Sequence, residues 1–208
     1  CQSLSQLEQE FLQSLGGEKE KTISIRVAAY SSILRSLILP SLQKLSNRSE
    51  HFQFEFLSRE IQELPQLLVS GSVDYLILDH TLDKIDVESL MIGQEEQVLI
   101  RAKNKKLQSP IYLDHDEEDQ TTYQYLKAQG EKNPKIQRSF MDDIYGIIDG
   151  VKLGFGQAVV SKHLVEHDKE IEIIPSKKKV VTPIVLHFYR KSYYPKYHQF
   201  LLDCFCST

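Results

Sequence analysis

The chain has 208 residues, of which 41% are hydrophobic and 26% are charged, ordinary proportions for a globular protein. Its 25 basic and 29 acidic residues give a net charge of −4, so the chain has no electrostatic reason to bind nucleic acid. No apolar run reaches the roughly 18 residues that a membrane span requires, which excludes an integral helical membrane protein. The length allows one domain or two lobes of about 100 residues each.

Cysteine usage indicates a reducing compartment. The three cysteines are Cys1, Cys204 and Cys206, an odd number with two of them one residue apart, which is a poor disulfide framework. We therefore expect a cytoplasmic protein. A chain that starts at cysteine can also be a mature lipoprotein of a cell envelope. A start at an internal residue of a longer protein explains the missing methionine equally well.

The N-terminal segment predicts an amphipathic helix over residues 4–15. Its apolar residues fall on one helical stripe, which Gly16 and Gly17 then end. The members of the stripe are Leu4, Leu7, Phe11, Leu12 and Leu15. Such a helix either pairs with a partner or packs back on its own domain, and the sequence leaves both alternatives open.

Residues 23–45 combine a strand, a hydroxyl-rich turn and an amphipathic helix in one βα unit. Alternating apolar residues predict a strand over 23–28, and apolar residues at helical spacing predict a helix over 31–46. The turn between them contains Tyr30, Ser31 and Ser32. Either serine could simply cap the helix. A strand that runs into a helix N-terminus also leaves backbone N–H groups beside these hydroxyls, which suits a small polar or anionic ligand.

The remaining pattern alternates strands with helices, which predicts an α/β fold with parallel sheets. Further strands are predicted over 52–57, 75–79, 96–102, 110–113, 135–140, 157–161, 170–174 and 183–190. Further helices are predicted over 62–70, 120–129, 142–152, 161–166 and 195–205.

Three segments resemble the effector-binding domain of LysR-type transcriptional regulators, which is built like a type 2 periplasmic binding protein. They are the Ser31-Ser32 turn with Pro40 late in its helix, the run that contains Gly71 and Asp74, and residues 149–165 with their Gly-x-Gly turn. Each motif is loose, but their order and spacing agree with the family from about residue 22 to 205.

The resemblance implies two Rossmann-like lobes joined by two crossover segments, near residues 93–96 and 177–182. Residues 1–21 would be the remnant of a linker helix, residues 22–94 and 181–208 lobe I, and residues 95–180 lobe II. It also implies that a small-molecule effector binds between the lobes and controls DNA binding by an N-terminal winged helix-turn-helix, which this chain does not contain. A homodimer or homotetramer is expected, with helix 31–46 packed against a partner's lobe II.

In α/β lobes the ligand lies outside the carboxyl ends of the strands. We therefore expect an effector, a carboxylate or an amino acid, to contact the residues that follow the strands. Lobe I offers Tyr30, Ser31, Ser32, Ser58, Arg59, Asp79 and His80, and lobe II offers Asp114, His115, Asp116, Met141, Asp142 and Ser161. Arg59 could pair with a ligand carboxylate through its bidentate fork, although a plain surface arginine is the commoner case.

Two other groups of residues suggest a metal site only weakly. His115–Asp119 places an imidazole among carboxylates, but a compact acidic run is typical of a solvated loop. His163 and His167 have the spacing of two ligands on one helix face, but they lack the H-E-x-x-H arrangement and have lysines nearby. No metal site is therefore predicted.

No catalytic set or cofactor motif is recognisable. Gly154 and Gly156 end a predicted helix, where a dinucleotide fingerprint would begin one, so they predict a turn. There is no G-x-S-x-G elbow, and neither C-terminal cysteine has an evident base. We therefore expect neither an enzyme nor a cofactor. The alternatives are a solute-binding protein of a transporter, and an enzyme on the same fold for which the catalytic residues are missing.

Overall fold

The computed structural model describes residues 22–47, 51–105 and 111–206, and it divides the chain into two compact units. The first unit runs to Gly93 and resumes at Pro183, and the second runs from Gln94 to Thr182. The chain therefore passes from one unit to the other twice. The helix predicted over 4–15 lies outside the described residues.

The first unit is built on a mixed sheet. Strands β1 (Thr22–Ala29), β2 (His51–Ser58) and β3 (Tyr75–Leu78) run in the order β2-β1-β3, and both neighbours of β1 are parallel to it. The long strand β9 (Val180–Tyr189) follows β3 and is antiparallel to it. Since β1 is central, its last residues Val27, Ala28 and Ala29 are fully buried.

Helix α1 is irregular, because four consecutive helical pieces compose it. They are an α turn (Ser31–Ile33), a π segment (Leu34–Ile38), a second α turn (Leu39–Ser41) and a 3-10 segment (Leu42–Asn47). The sequence predicted one regular helix over 31–46. Pro40 has no N–H to donate to the carbonyl one turn earlier, and the wider π spacing lies directly before this break.

Helices cover both faces of this sheet. Helix α1 and the last helix, α5 (Lys196–Cys206), bury Ile33, Ile38 and Phe205 against one face. Helix α2 (Leu64–Val69) buries Leu64 and Leu68 against the other. Burial of such side chains on each face is the main source of stability for an α/β layer, at about 1.5 to 3 kcal/mol for each.

The resemblance motif of Gly71 and Asp74 has a structural role in this unit. Gly71 adopts φ +70° directly after helix α2, a conformation that favours glycine. The Asp74 carboxylate accepts hydrogen bonds from Nε and Nη2 of Arg26 at 3.3 and 3.0 Å, and from the Arg26 backbone N–H at 2.9 Å. The motif therefore attaches the turn before β3 to the middle of β1.

The second unit contains two groups of strands. In the first, the part of β4 (Val87–Ala102) that follows Gly93 pairs antiparallel with β7 (Ala158–Ser161) and β8 (Ile171–Ile174). In the second, β5 (Ile111–Asp114) pairs parallel with β6 (Gln137–Phe140). Helices α3 (Thr121–Ala128) and α4 (Ile144–Leu153) pack on these strands in separate apolar cores.

Three expectations about this architecture need correction. The sheets are mixed, since β9, β4, β7 and β8 form antiparallel pairs. Strand β4 begins at Val87 instead of 96, in a stretch where polar residues and Gly93 weaken the apolar pattern. The helix predicted over 161–166 is only a 3-10 turn, Lys162–Leu164. In the described part of the chain, no helix has the length and hydropathy to cross a membrane.

Candidate functional site

The parallel strands of the first unit bring their carboxyl ends to one edge of the sheet. Ala29 of β1 lies opposite Ser58 of β2, so Tyr30 and Arg59 leave their strands side by side. Strand β3 has the same direction and is followed by Asp79 and His80. The structure therefore places the first predicted set of residues along one edge: Tyr30, Ser31, Ser32, Ser58, Arg59, Asp79 and His80.

Ser31 and Ser32 do not cap helix α1. The N-cap residue is Tyr30, whose backbone is extended, and no side chain makes the capping hydrogen bond. Ser32 is buried and Ser31 is half-buried. Neither hydroxyl has a hydrogen-bond partner in residues 22–47, 51–105 and 111–206. The capping interpretation of these serines is therefore wrong, and two hydroxyls stand beside the N–H groups of the first helical turn.

The other polar residues at this edge interact with each other. Arg59 is exposed, and its Nη1 donates to the backbone carbonyl of Ser58 at 2.7 Å. The ring Nδ1 of His80 lies 2.6 Å from Oδ1 of Asp79. Both of these contacts join sequence neighbours on the surface, so the groups can exchange them for a ligand without disrupting the core.

In the second unit, Asp114 at the end of β5 is already engaged by the protein. It is buried, and its carboxylate accepts hydrogen bonds from the Thr122 hydroxyl and from Nε of Arg138. These donors occupy both oxygens. We therefore expect Asp114 to shape the loop that follows it, and not to contact an effector.

The residues next to Asp114 are more accessible. His115 Nδ1 lies 3.3 Å from Oδ1 of Asp142 and 3.6 Å from Oδ2 of Asp116. The pKa of the Asp116 carboxyl lies below its ordinary value, chiefly because it accepts hydrogen bonds from the N–H groups of Glu118 and Asp119. A negative charge is therefore held next to the imidazole.

Met141 and Ser161 complete the second set of predicted residues. The Met141 side chain packs on helix α4, because a Cβ placed on Gly146 would lie 2.8 Å from its sulfur. Ser161, at the end of β7, is buried, and its Oγ accepts a hydrogen bond from Nε2 of Gln97 at 3.2 Å. Met141 thus packs against helix α4, while the Ser161 hydroxyl is held by the Gln97 side chain of β4.

The sequence interpretation missed several polar residues that are buried or nearly so. Arg138 on β6 binds the loop after β5, and Glu95 on β4 is buried with Oε1 3.7 Å from Nε2 of His163. His187 on β9 is fully buried and accepts a hydrogen bond from the N–H of Leu82 at 3.1 Å. Only His187 carried a usable indication, since it lies within the apolar run of β9, whereas Arg138 and Glu95 lie in polar stretches.

The residues of the two possible metal groups have different surroundings. Asp119 accepts hydrogen bonds from the N–H groups of His115 and Thr121 at 3.1 and 2.8 Å, as in a structured acidic loop. His167 is almost fully exposed, with Nε2 3.8 Å from Oε1 of Glu166, whereas His163 lies in the 3-10 turn. The two histidines therefore do not share one face of a regular helix.

A family model decides the identity of this fold. The model of the LysR substrate-binding domain matches residues 19–205, nearly the whole chain. This chain belongs to the LysR substrate-binding domain family. It is thus a small-molecule effector-sensing domain of a LysR-type regulator, with the type 2 periplasmic-binding-protein fold that the resemblance implied. These matches give no support to a transporter's solute-binding protein.

Solved structures of LysR-type regulators have the same fold. LysG from Corynebacterium glutamicum with its bound effector arginine matches at a TM-score of 0.76 and 14% identity, covering 99% of this chain and 74% of LysG. ArgP from Mycobacterium tuberculosis matches at a TM-score of 0.79 and 10% identity, covering 99% and 73%.

A regulatory domain solved alone also matches over its full length. The reduced OxyR2 regulatory domain from Vibrio vulnificus has a TM-score of 0.71 and 16% identity, covering 92% of this chain and 98% of that domain. A search of curated protein sequences finds no match. At such low identities the solved structures establish the fold alone.

Proposed function

We propose that this LysR-type domain binds its effector at residues that follow the strands, including the serine turn of helix α1. The observation that carries the proposal is the pair of serine hydroxyls at the start of helix α1, which have no hydrogen-bond partner in the described part of the chain. The two hydroxyl oxygens are not among the buried side-chain atoms that lack a partner, so both remain accessible. A bound polar group could therefore form hydrogen bonds with them in place of water.

The proposed effector is a carboxylate or an amino acid. The N–H groups and positive dipole end at the first turn of helix α1 suit a carboxylate, and the Ser31 and Ser32 hydroxyls add two donors. The exposed carboxylates of Asp116 and Asp142 suit a cationic group. Amino acids carry both kinds of group, and arginine is the effector bound in LysG. L-arginine, L-lysine and small aromatic acids are the first compounds to test.

We further propose that effector binding is transmitted to an N-terminal winged helix-turn-helix in the complete regulator, acting in the cytoplasm as a homodimer or homotetramer. The two compact units would be lobes I and II of the family fold. Membership of the LysR family supports this arrangement, because an effector-binding domain regulates transcription only together with a part that contacts DNA.

A thermal-shift screen tests the site. If Ser32 binds the effector, Ser32→Ala should remove about 1 to 3 kcal/mol of binding free energy and greatly reduce effector-induced stabilisation. Ser31→Ala should have a similar effect. Since neither hydroxyl caps the helix, the unliganded variants should unfold at nearly the wild-type temperature.

Ser36→Ala is the matched control on the same helix. The Ser36 hydroxyl donates to the Ser32 carbonyl at 2.5 Å, one turn away from the proposed contact. This variant should keep the full effector response. If a compound stabilises the wild type, Ser31→Ala and Ser32→Ala equally, the effector does not bind at the serine turn, and His115 and Asp142 are the next residues to replace.

A further inference from the structure

The loop that follows β5 is held by several internal hydrogen bonds. Residues 115–120 form neither helix nor strand, yet they carry His115 and Asp116, two of the proposed effector contacts. Asp119 accepts hydrogen bonds from the N–H groups of His115 and Thr121, and Asp116 accepts from the N–H groups of Glu118 and Asp119. Two carboxylates of the loop thus accept the N–H groups of three of its own residues and of Thr121, which follows it.

The carbonyl side of the loop is held by Arg138 of strand β6. Its Nη2 donates to the carbonyls of Asp116 and Asp119 at 2.9 and 2.7 Å, and its Nη1 donates to the carbonyl of Glu117 at 3.2 Å. Its Nε donates to the Asp114 carboxylate. One guanidinium thus binds four residues of the loop and of the strand end before it.

The surroundings of Arg138 fix its orientation. The side chain is only 11% exposed, and its guanidinium lies 5.2 Å from the ring centre of Tyr123 and 5.0 Å from that of Phe140. The Asp114 carboxylate opposite it is held by the Thr122 hydroxyl, which is fully buried. A planar fork between two rings can satisfy several acceptors at once, whereas the flexible ammonium of lysine cannot reproduce this geometry.

We propose that Arg138 is a positioning residue for effector recognition, because it fixes the loop that presents His115 and Asp116. The inference rests on the proposed function of these two residues. If a loop becomes ordered only when a ligand binds, the lost conformational entropy lowers the affinity. A domain whose loop is already ordered therefore binds the ligand more tightly. Arg138 itself does not touch the effector.

The experiment compares the wild type with Arg138→Lys, using amide hydrogen exchange and isothermal titration with L-arginine or the strongest binder of the thermal-shift panel. We expect the N–H groups of His115, Glu118, Asp119 and Thr121 to exchange roughly tenfold faster or more, since charge-assisted hydrogen bonds are lost. Binding should weaken by a similar factor. The amides of helix α4 should keep their protection.

Arg101→Gln is the matched control in the same unit. Arg101 also makes a two-point pair, with Glu172 at 2.9 and 2.9 Å, but on the surface and away from the loop. This variant should leave loop exchange and binding unchanged. If Arg138→Lys does not fold, the double variant Asp114→Asn with Arg138→Gln removes both buried charges together and serves in its place.

Two results would overturn the inference. One is wild-type exchange and binding in the Arg138 variants, and the other is loss of protection spread equally over helix α4, which would mean a general structural role. A wild type that binds no compound of the panel contradicts the proposed function instead. The exchange measurement still decides in that case whether Arg138 orders the loop.

Discussion

At the scale of single residues, buried and partly buried polar groups of this domain differ in whether all their polar atoms have hydrogen-bond partners. Arg26 with Asp74, and Arg138 with Asp114, are ion pairs supported by further hydrogen bonds. His187 differs from them. Its Nε2 accepts the N–H of Leu82, while its buried Nδ1 has no hydrogen-bond partner among the described residues. The neutral ring must therefore carry its proton on Nδ1.

His187 should make the stability of the domain depend on pH. Burial lowers the pKa of His187 below its ordinary value of 6.5, and the charge of His80 lowers it further. The unfolded chain then binds a proton near pH 6.5 that the folded chain binds only at lower pH. The contribution of neutral His187 to the free energy of unfolding is thus fully present above pH 6.5. It is lost as the pH falls, by up to about 1.4 kcal/mol per pH unit.

Urea denaturation between about pH 7.5 and 5 measures this dependence. His187→Gln keeps an acceptor for the Leu82 N–H but cannot titrate. As the pH falls, the free energy of unfolding of this variant should therefore decrease less steeply than that of the wild type. His167→Gln, at an almost fully exposed position, is the control and should follow the wild type. Burial also lowers the pKa of His198, so some slope should persist in the His187 variant. An unchanged slope would contradict the prediction.

At the scale of elements, the two long helices near the proposed contacts begin in different ways. Helix α1 starts without a side-chain cap, at the serines proposed to bind the effector. Helix α4 starts with a complete cap, because Asp143 accepts a hydrogen bond from the N–H of Gly146 at 2.7 Å. It ends at Gly154, whose φ of +86° favours glycine. The predicted turn at Gly154 and Gly156 is confirmed.

Replacing the cap of helix α4 should lower stability without affecting recognition directly. Asp143→Ala should reduce the free energy of unfolding by about 1 kcal/mol, the usual contribution of an N-cap. The neighbouring Asp142→Ala removes an exposed carboxylate and should change stability by less than about 0.5 kcal/mol while weakening effector binding. Urea denaturation and titration of both variants measure the two effects. Equal losses of stability would show that Asp143 does not act as a cap.

At the scale of the whole molecule, charge predicts that these 208 residues do not recognise DNA by themselves. The net charge is −4, and the basic run Lys177–Lys179 is an exposed loop whose backbone is held by the Gln129 side chain. An electrophoretic mobility assay at moderate salt should show no sequence-selective binding to duplex DNA. Selective binding would contradict the assignment of DNA recognition to another part of the regulator.

Self-association is the second prediction at this scale. Membership of the LysR family leads us to expect it, and Leu39, 44% exposed, is the apolar residue of helix α1 left free to contact a partner, whereas Leu34 and Ile38 are buried in the domain's own core. Light scattering should show a dimer or tetramer that Leu39→Glu weakens. Val69→Glu, at a similarly exposed position on helix α2, should leave association unchanged. A monomeric wild type at high concentration would contradict the prediction.

Local patterns in the sequence were sufficient for most strands and helices and for the family. A strand or helix of this kind depends on residues only a few positions apart, so its pattern can be recognised in the sequence. Examples are the alternation of apolar residues over 23–28 and the helical spacing over 120–129. The order and spacing of three loose motifs then gave the resemblance to the LysR-type domain, which the family model confirms. Strand β4 and the segment over 161–166 were less predictable, because pairing with distant strands decides them.

The partners of polar side chains were decided only by the tertiary structure. Asp114 looked like a ligand contact because it ends a strand, but Arg138, far along the chain, occupies it. Ser31 and Ser32 looked like caps because their type is common there, yet Tyr30 takes that position. A hydrogen bond requires two groups within about 3 Å, and their approach depends on strand register and packing that no local pattern encodes. The sequence by itself thus determined the fold family, and the fold decided which polar groups are left for an effector.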